Sequence, residues 1–340
     1  MPQPYLKRIM EDRATLNREE AHVLMEQIFT GSFSDLELAA LLGAIGARGE
    51  SPEELAGFVD AMREAVTDVP LNHHERTQLV DTCGTGGDAS GTFNISTAAA
   101  LVAAAAGGTV AKHGNRAVTS QCGSADVLEA LGIPVQLAPE AAAAALREHG
   151  FCFLLAPAHH PAMKAVMPVR RALGMRTVFN VLGPLLNPAG ARRQVMGVYS
   201  ARLVPLVAEA MTMLGVQLAL VVHGDQGLDE IALSGPSEIA EVRCDEFGFH
   251  MAQSSILPEQ FGLRRAPLAA LAGGDAVANA AILTAIFAGE IGPRRDVVLL
   301  NAAAVLVTAG LALQMQEGVE LAAKAIDSSA VTRLVSKLAR

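Results

Sequence analysis

Apolar residues recur at helical spacing through the first 68 residues. Three N-terminal capping patterns open successive segments there: Asn17 with Glu20, Ser34 with Glu37, and Ser51 with Glu54. In each, a short polar side chain can accept from the backbone N–H three residues on, while the glutamate reaches back. Pro52 in a first turn, with Gly31 and Gly49 just past helix ends, completes a pattern that predicts helices of roughly 10 to 16 residues joined by short loops. The texture changes at Gln78. Short β-prone runs at 78–82, 109–112, 151–156, 194–199 and 219–223 now alternate with helical stretches at 94–106, 124–131, 140–149, 162–173 and 203–214. That alternation predicts an α/β domain with helices packed on a sheet. Segment 238–252 reads as a β-hairpin or meander, while 275–289, 296–312 and the chain from Gly318 onward read as helices that cover the sheet. A small helical domain followed by a large α/β domain is expected.

Composition narrows what such a chain can do. The longest apolar stretch, 98–106, ends at Gly107-Gly108 and is far too short to cross a bilayer. The N-terminus, MPQPYLKRIMEDR, lacks the basic-then-apolar order of a secretory signal, so a cytoplasmic location is expected. Cys83, Cys122, Cys152 and Cys244 are scattered without a CxxC pair or zinc-finger spacing, which predicts reduced thiols. A net charge of -9, with two Tyr, no Trp and no Lys/Arg-rich run, argues against a nucleic-acid surface. Basic residues that matter must act locally.

Four segments carry chemistry. In DTCGTGGDASGTFNIST, residues 81–97, a predicted strand runs into four glycines between Gly84 and Gly91 and then into a helix near Asn94. Glycine lets the backbone approach an anion closely, and a helix start adds unsatisfied N–H donors and positive dipole. Asn94, Ser96 and Thr97 can add side-chain donors. The loop matches neither GxxxxGK[ST] nor GxGxxG, so ATPase and dinucleotide readings are disfavoured. The next segment, VAKHGNRAVTSQCGSADVLEALG, repeats the plan of strand, polar loop and helix, and Lys112, Asn115 and Arg116 can reach anionic oxygens from the strand's end. His113 is equally well read as a structural histidine or a substrate contact. In VVHGDQGLDEIALSG, Asp225, Asp229 and Glu230 follow an apolar strand, where carboxylates beside two anion loops suit a hard cation, naturally Mg²⁺. The fourth, HHPAMKAVMPVRRALGMRTVFNVLGPLLNP, holds His159, His160, Lys164, Arg170, Arg171 and Arg176. Adjacent histidines do not make a metal-binding helix face. An arginine gripping a carboxylate is the better reading, though spacing leaves open which arginine does so.

Taken together, GTGGD, NIST, KHGNR with GSADVLEALG, and RTVFNVLGPLLNP with GLDE resemble the anthranilate phosphoribosyltransferases, and the likeness covers essentially the whole chain. SPEELAGFVDAMR also resembles that family's helical domain. The resemblance implies an α/β fold of the nucleoside phosphorylase/phosphoribosyltransferase type. Residues 1–70 would form the helical domain, with helices from about 162–190 packing on it. Residues 71–340 would form the donor-binding domain, with a central, mostly parallel sheet flanked by helices. It implies transfer of phosphoribose from 5-phosphoribosyl 1-pyrophosphate to the amine of anthranilate, with Mg²⁺ as cofactor, and a homodimer with no nucleic-acid or membrane partner. By matched position, Gly84, Gly87, Asp88, Thr92, Asn94, Ser96, Thr97, Lys112, His113, Gly114, Asn115, Arg116 and Ser124 would surround the donor. Ser96, Asp229 and Glu230 would bind the metal. Asn115 and Arg170 would contact anthranilate, with His113, His160 and Pro184 lining its route, and Lys112, Asn115 and Arg170 would carry the catalysis.

Some positions depart from the family pattern. Ala89 replaces a frequent glycine, Thr119 and Cys122 stand where serines are common, and His159 takes a place often held by Tyr. A pyrimidine nucleoside phosphorylase shares the general plan, but KHGNR and the Arg170 segment fit it poorly. A non-catalytic binding relative should show a basic face or a degraded acceptor site, and neither is visible in the sequence.

Overall fold

The computed structural model describes residues 4–117 and 121–340. Its first unit contains the helices Pro4–Met10, Arg18–Phe29, Asp35–Arg48 and Pro52–Glu64. All three capping boxes close reciprocally, so each helix start satisfies two otherwise orphaned donors. A fourth box, Asn72 with Glu75, opens the helix His73–Gln78. Gln78, expected to begin a strand, therefore ends a helix. Glu54 does more than cap. Fully buried, it accepts from Leu16 N–H at 3.0 Å, Ser51 N–H at 2.9 Å and the Arg48 guanidinium at 2.6 Å, tying two loops of the unit and the end of a helix to one carboxylate.

The sheet contains β1 (Leu79–Gly84), β2 (Thr109–Gly114), β3 (Phe151–Leu155), β4 (Arg193–Gly197), β5 (Leu218–Gly224), β6 (Ser237–Asp245) and β7 (Gly248–Ile256). Its order is β3-β2-β1-β4-β5-β6-β7, with β3 through β5 parallel and the β6–β7 hairpin antiparallel. Both faces are covered, which explains why the strands read as apolar runs rather than clean alternations. Val195, Leu220, Val222 and Ile239 point into one core, shared with helices Ile95–Ala105 and Pro293–Ala309. Met196, Ala219, Val221, Ala240 and Val242 point into the other, shared with the N-terminal helices and with Leu203–Met213. That second core also takes Val166, Val169, Val178, Phe179, Val181 and Leu182, so the segment around Arg170 is packed against the helical unit.

The helix expected over 162–173 is interrupted. A 3-10 turn, Pro161–Ala165, gives way at Val166 to a short helix, Met167–Leu173. Pro168 has no N–H to donate, and its ring would clash with the carbonyl one turn back, so it is tolerated only at a new helix start. Another short helix, Val178–Leu182, is begun by Thr177 and Asn180. Chain order reverses between β1 and β4, so the loops leaving these strands' C-terminal ends diverge and leave a crevice, the usual ligand position in open α/β sheets. Among the described residues no helix is long and apolar enough to cross a membrane.

Candidate active site

The crevice is built on glycines at three neighbouring strand ends. A Cβ on Gly84 of β1 would overlap the Asp229 carboxylate, one on Gly197 of β4 would overlap the Asp229 carbonyl, and one on Gly224 of β5 would overlap the Glu230 carbonyl. Only bare backbone lets the segment 228–230 lie across the sheet edge. The segment is held from behind by Asn301, whose Oδ1 accepts from Ile231 N–H and whose Nδ2 donates to Ile231 O, both at 2.9 Å.

So placed, the two acids meet the glycine loop. Asp229 Oδ2 accepts from Gly86 N–H at 2.7 Å, and Glu230 Oε1 accepts from Ser96 N–H at 3.0 Å. Asp88 joins them from the loop itself. Desolvation, with Asp88 and the neighbouring acid adding like charge, raises the pKa of Asp229, and desolvation likewise raises that of Glu230. Lys112 opposes this on Glu230. Its ammonium is almost wholly buried, donating to Thr82 O at 2.6 Å and Ser96 Oγ at 3.2 Å. Three crowded, oxygen-only acids with one buried cation near them fit a hard divalent ion such as Mg²⁺, which needs only a few carboxylate contacts and keeps its waters.

The loop bends through left-handed backbone at Gly86, Gly87, Ala89 and Gly91, with φ of 66°, 73°, 56° and 67°. Ala89, where a glycine is frequent, takes the conformation at some cost in strain. The loop's far end is fixed by Thr92 bridging Ala272 and by Gly273 N–H donating to Gly91 O at 2.9 Å. Asn279 Nδ2 donates to Asn94 Oδ1 at 2.9 Å, and Cys122 shares Asn94 through Asn94 Nδ2 donating to Cys122 O at 3.2 Å. Ser124 begins the helix Ser124–Ala130, and Asn115 O accepts from Ala125 N–H at 3.2 Å, which folds the second loop back on itself. Gly114 is packed against the Phe153 ring.

Two expected residues face elsewhere. The Thr97 hydroxyl is fully buried without a hydrogen-bond partner. The Arg116 guanidinium is spent on Glu129, at 2.6 Å and 2.7 Å, and on Asp126 at 3.2 Å. Thr119 lies outside the described residues.

On the other side of the crevice, His113 and His160 place their Nε2 atoms 3.2 Å apart, rings edge to face with centroids 5.1 Å apart. Burial holds both as neutral imidazoles, pushing His160 down to about 4 and His113 well below its ordinary value. Beneath them Asp81, fully buried, accepts from His113 N–H at 3.0 Å, and its pKa is raised to about 6 by desolvation. Asn187 Nδ2 donates to Ala111 O at 2.7 Å, and Gln194 Nε2 donates to Pro184 O at 2.6 Å. His159 turns away from the crevice and pairs its Nδ1 with Thr67 O at 2.7 Å. Arg170 is half-buried. Its guanidinium stacks 5.5 Å from the Phe179 ring centroid and reaches Asn180 Oδ1 at 3.5 Å, burial lowers its pKa, and among the described residues no carboxylate pairs with it. Asp81, Asn187, Gln194, Asn279 and Asn301 were not assigned roles from the sequence. Their only local signal is a polar residue inside or beside an apolar run.

Comparison with known proteins agrees with this geometry. A model described as glycosyl transferase family, a/b domain, matches residues 76–331, and one described as glycosyl transferase family, helical bundle domain, matches residues 3–66. The anthranilate phosphoribosyltransferase of Chloroflexus aggregans is 52% identical over 317 residues, 93% of this chain and 91% of the relative. The chain belongs to the anthranilate phosphoribosyltransferase family. Another member, from Haloferax volcanii, is 49% identical over 329 residues, 96% of each chain. Among solved structures of the family, the enzyme from Thermus thermophilus superposes with a TM-score of 0.90 at 44% identity, covering 99% of this chain and 98% of that one. The Saccharomyces cerevisiae enzyme in complex with PRPP and Mg superposes with a TM-score of 0.86 at 27% identity, covering 98% and 95%.

Gly197→Ala should leave the sheet folded but displace Asp229, lowering family activity at least about tenfold while circular dichroism stays native. His160 titrates at about 4 when folded against 6.5 as an ordinary histidine, so below pH 6.5 the unfolded chain binds the extra proton. Its contribution to stability is complete above pH 6.5 and is lost as pH falls toward 4. Urea unfolding should therefore show the stability gap between wild type and His160→Gln narrowing by roughly 1–2 kcal/mol from pH 7 to pH 5.

Proposed function

We infer that the chain transfers the 5-phosphoribosyl group of 5-phosphoribosyl 1-pyrophosphate to the amine of anthranilate, releasing pyrophosphate. The observation that carries this reading is Arg170, a half-buried guanidinium without a carboxylate partner among the described residues. A desolvated cation in that state favours a planar carboxylate, and its fork matches one in bidentate fashion. Neutral His113 and His160 supply an uncharged wall for an aromatic ring, with Pro184 and Asn115 completing the acceptor's surroundings.

On the donor side Gly84, Gly87, Asp88, Thr92, Asn94, Ser96, Lys112 and Ser124 surround the phosphoribosyl diphosphate, with His113 and Gly114 framing them. Ser96, Asp229 and Glu230, joined by Asp88, would hold Mg²⁺, which neutralises and orients the diphosphate when bound. The amine lone pair forms the new N–C bond at the sugar's anomeric carbon as the C–O bond to pyrophosphate breaks, and the electron pair departs with the leaving group. Lys112, fixed by Thr82 O and Ser96 Oγ, offers preorganised positive charge where that negative charge grows. The amine then gives up its proton to the released pyrophosphate or to water. An aromatic amine with a free lone pair needs no strong base to attack, so His113 acts as a positioning group.

Residues 1–70 and 71–340 are proposed as the two domains, with approach of one to the other excluding water from the crevice. A cytoplasmic homodimer is the proposed working form.

Arg170→Ala should raise the anthranilate KM at least about tenfold with much less effect on the donor KM; an unchanged anthranilate KM in fluorescence assays would remove Arg170 from the acceptor site. The double variant Asp229→Ala with Glu230→Ala should need far more Mg²⁺ for half-maximal rate. A wild-type metal titration there would reject the acids as the metal's ligands.

A further inference from the structure

Arg176 lies between the short helix bearing Arg170 and the one begun by Thr177. Exposed arginines such as Arg116 and Arg147 end on carboxylates, and others such as Arg192 and Arg333 end on nearby turn carbonyls. Arg176 ends on a carbonyl as well, but one that belongs to the glycine loop. Its Nη1 donates to the Gly87 carbonyl of the glycine loop at 3.1 Å, and its guanidinium carbon stands 4.3 Å from the centroid of the Tyr199 ring. Tyr199 is tied to the same loop: its N–H donates to Thr85 Oγ1 at 3.1 Å, and Thr85 N–H donates to Gly197 O at 2.9 Å. Three chain segments distant in sequence thus close on the first residues of the loop. On the acceptor side, Thr177 N–H donates to Asn180 Oδ1 at 3.0 Å, and Arg170 reaches that same oxygen. The two arginines are therefore held by one short segment, one facing the acceptor and the other the donor loop.

The point of attachment gives this latch its consequence. Gly86 and Gly87 both have positive φ, and glycine can exchange such conformations at little steric cost, so the adjoining peptide planes are easily turned. The Gly87–Asp88 peptide is planar and trans. A carbonyl held toward Arg176 therefore sends the Asp88 N–H in the opposite direction. An anion cradle works only when such N–H groups converge, and converging dipoles repel unless their carbonyl ends are satisfied elsewhere. A charge-assisted bond from a planar cation, backed by an aromatic face, satisfies that end.

We infer that Arg176, seated on Tyr199, is a positioning residue of the donor site: it locks the Gly87–Asp88 peptide in the orientation that presents the loop's N–H groups to a diphosphate. This rests on the donor reading above. Its side chain acts through the loop and the ring behind it. Lysine keeps the charge but loses the planar stacking, so it replaces arginine only in part.

The test titrates 5-phosphoribosyl 1-pyrophosphate with Mg²⁺ into the full-length protein by calorimetry, alongside steady-state kinetics and thermal melts. Arg176→Leu should weaken donor binding and raise the donor KM together by about five- to thirtyfold, with kcat within about threefold of wild type and the melting temperature nearly unchanged. Arg176→Lys should recover part of that loss. Tyr199→Phe, which keeps the ring, should bind the donor more tightly than Tyr199→Leu. Combining Arg176→Leu with Tyr199→Leu should cost little more than Arg176→Leu alone, because both remove one device. Donor affinity within twofold of wild type in Arg176→Leu, fully additive losses in the double variant, or a fall in melting temperature that accounts for the lost binding would each overturn the latch. A wild type that binds no donor would instead fell the functional reading and the latch with it, and so is told apart from a wild type that binds while Arg176→Leu binds equally well.

Discussion

Asp229 and Glu230 rest directly on the ends of β1, β4 and β5, at distances that only glycine permits. Everything chemical in the crevice follows from that contact. It sets the height of the two carboxylates above the sheet, and from that height one reaches Gly86 N–H and the other Ser96 N–H. The acids are thereby bound to the glycine loop and to the first turn of the helix that follows it. A side chain at the end of β4 or β5 would lift the segment through its backbone, and one at the end of β1 would push on the Asp229 carboxylate itself.

This contact also explains the electrostatics. Carboxylates pressed onto a sheet edge lose water, and with Asp88 beside them they repel one another, so their ionised forms are unfavourable until a cation arrives. Lys112 offsets part of that cost from below. Across the crevice the balance is reversed, with two neutral histidines and an arginine that meets no carboxylate among the described residues. In the proposed reading the metal supplies the positive charge that the three acids lack, and the Arg170 guanidinium supplies it for the acceptor's carboxylate.

The polar residues buried beneath the crevice serve as its frame. Asp81, Asn187, Gln194, Asn279 and Asn301 bond mainly to backbone atoms or to one side chain that faces the crevice. Each converts a loop that would otherwise be soft into one with a fixed partner, and burial makes those bonds expensive to lose. Arg176 belongs to this class by its contacts, although it sits at the surface.

The sequence by itself determined the elements whose cause is local. Capping boxes span three residues and strands announce themselves as short apolar runs, so the helical unit, the alternating α/β order and the strand–glycine loop–helix plan were legible, as were the acids after β5. The fourth capping box was equally local and was masked by the β-prone run that follows it. Pro168 likewise stood in plain view, yet the apolar spacing around it read as one continuous helix. What only tertiary structure decided are contacts between residues far apart in the chain. Gly197 read as an ordinary position inside a strand expected over 194–199, and Gly224 as the residue just past the next strand, until Asp229 and Glu230 fold onto them. Arg116, Arg170 and Arg176 are the same side chain in two segments, and their roles separate only because Glu129 neutralises the first, no acid among the described residues meets the second, and a carbonyl and a ring receive the third. Which partner a long charged side chain finds is set by packing, and packing is not written in the spacing of any one segment.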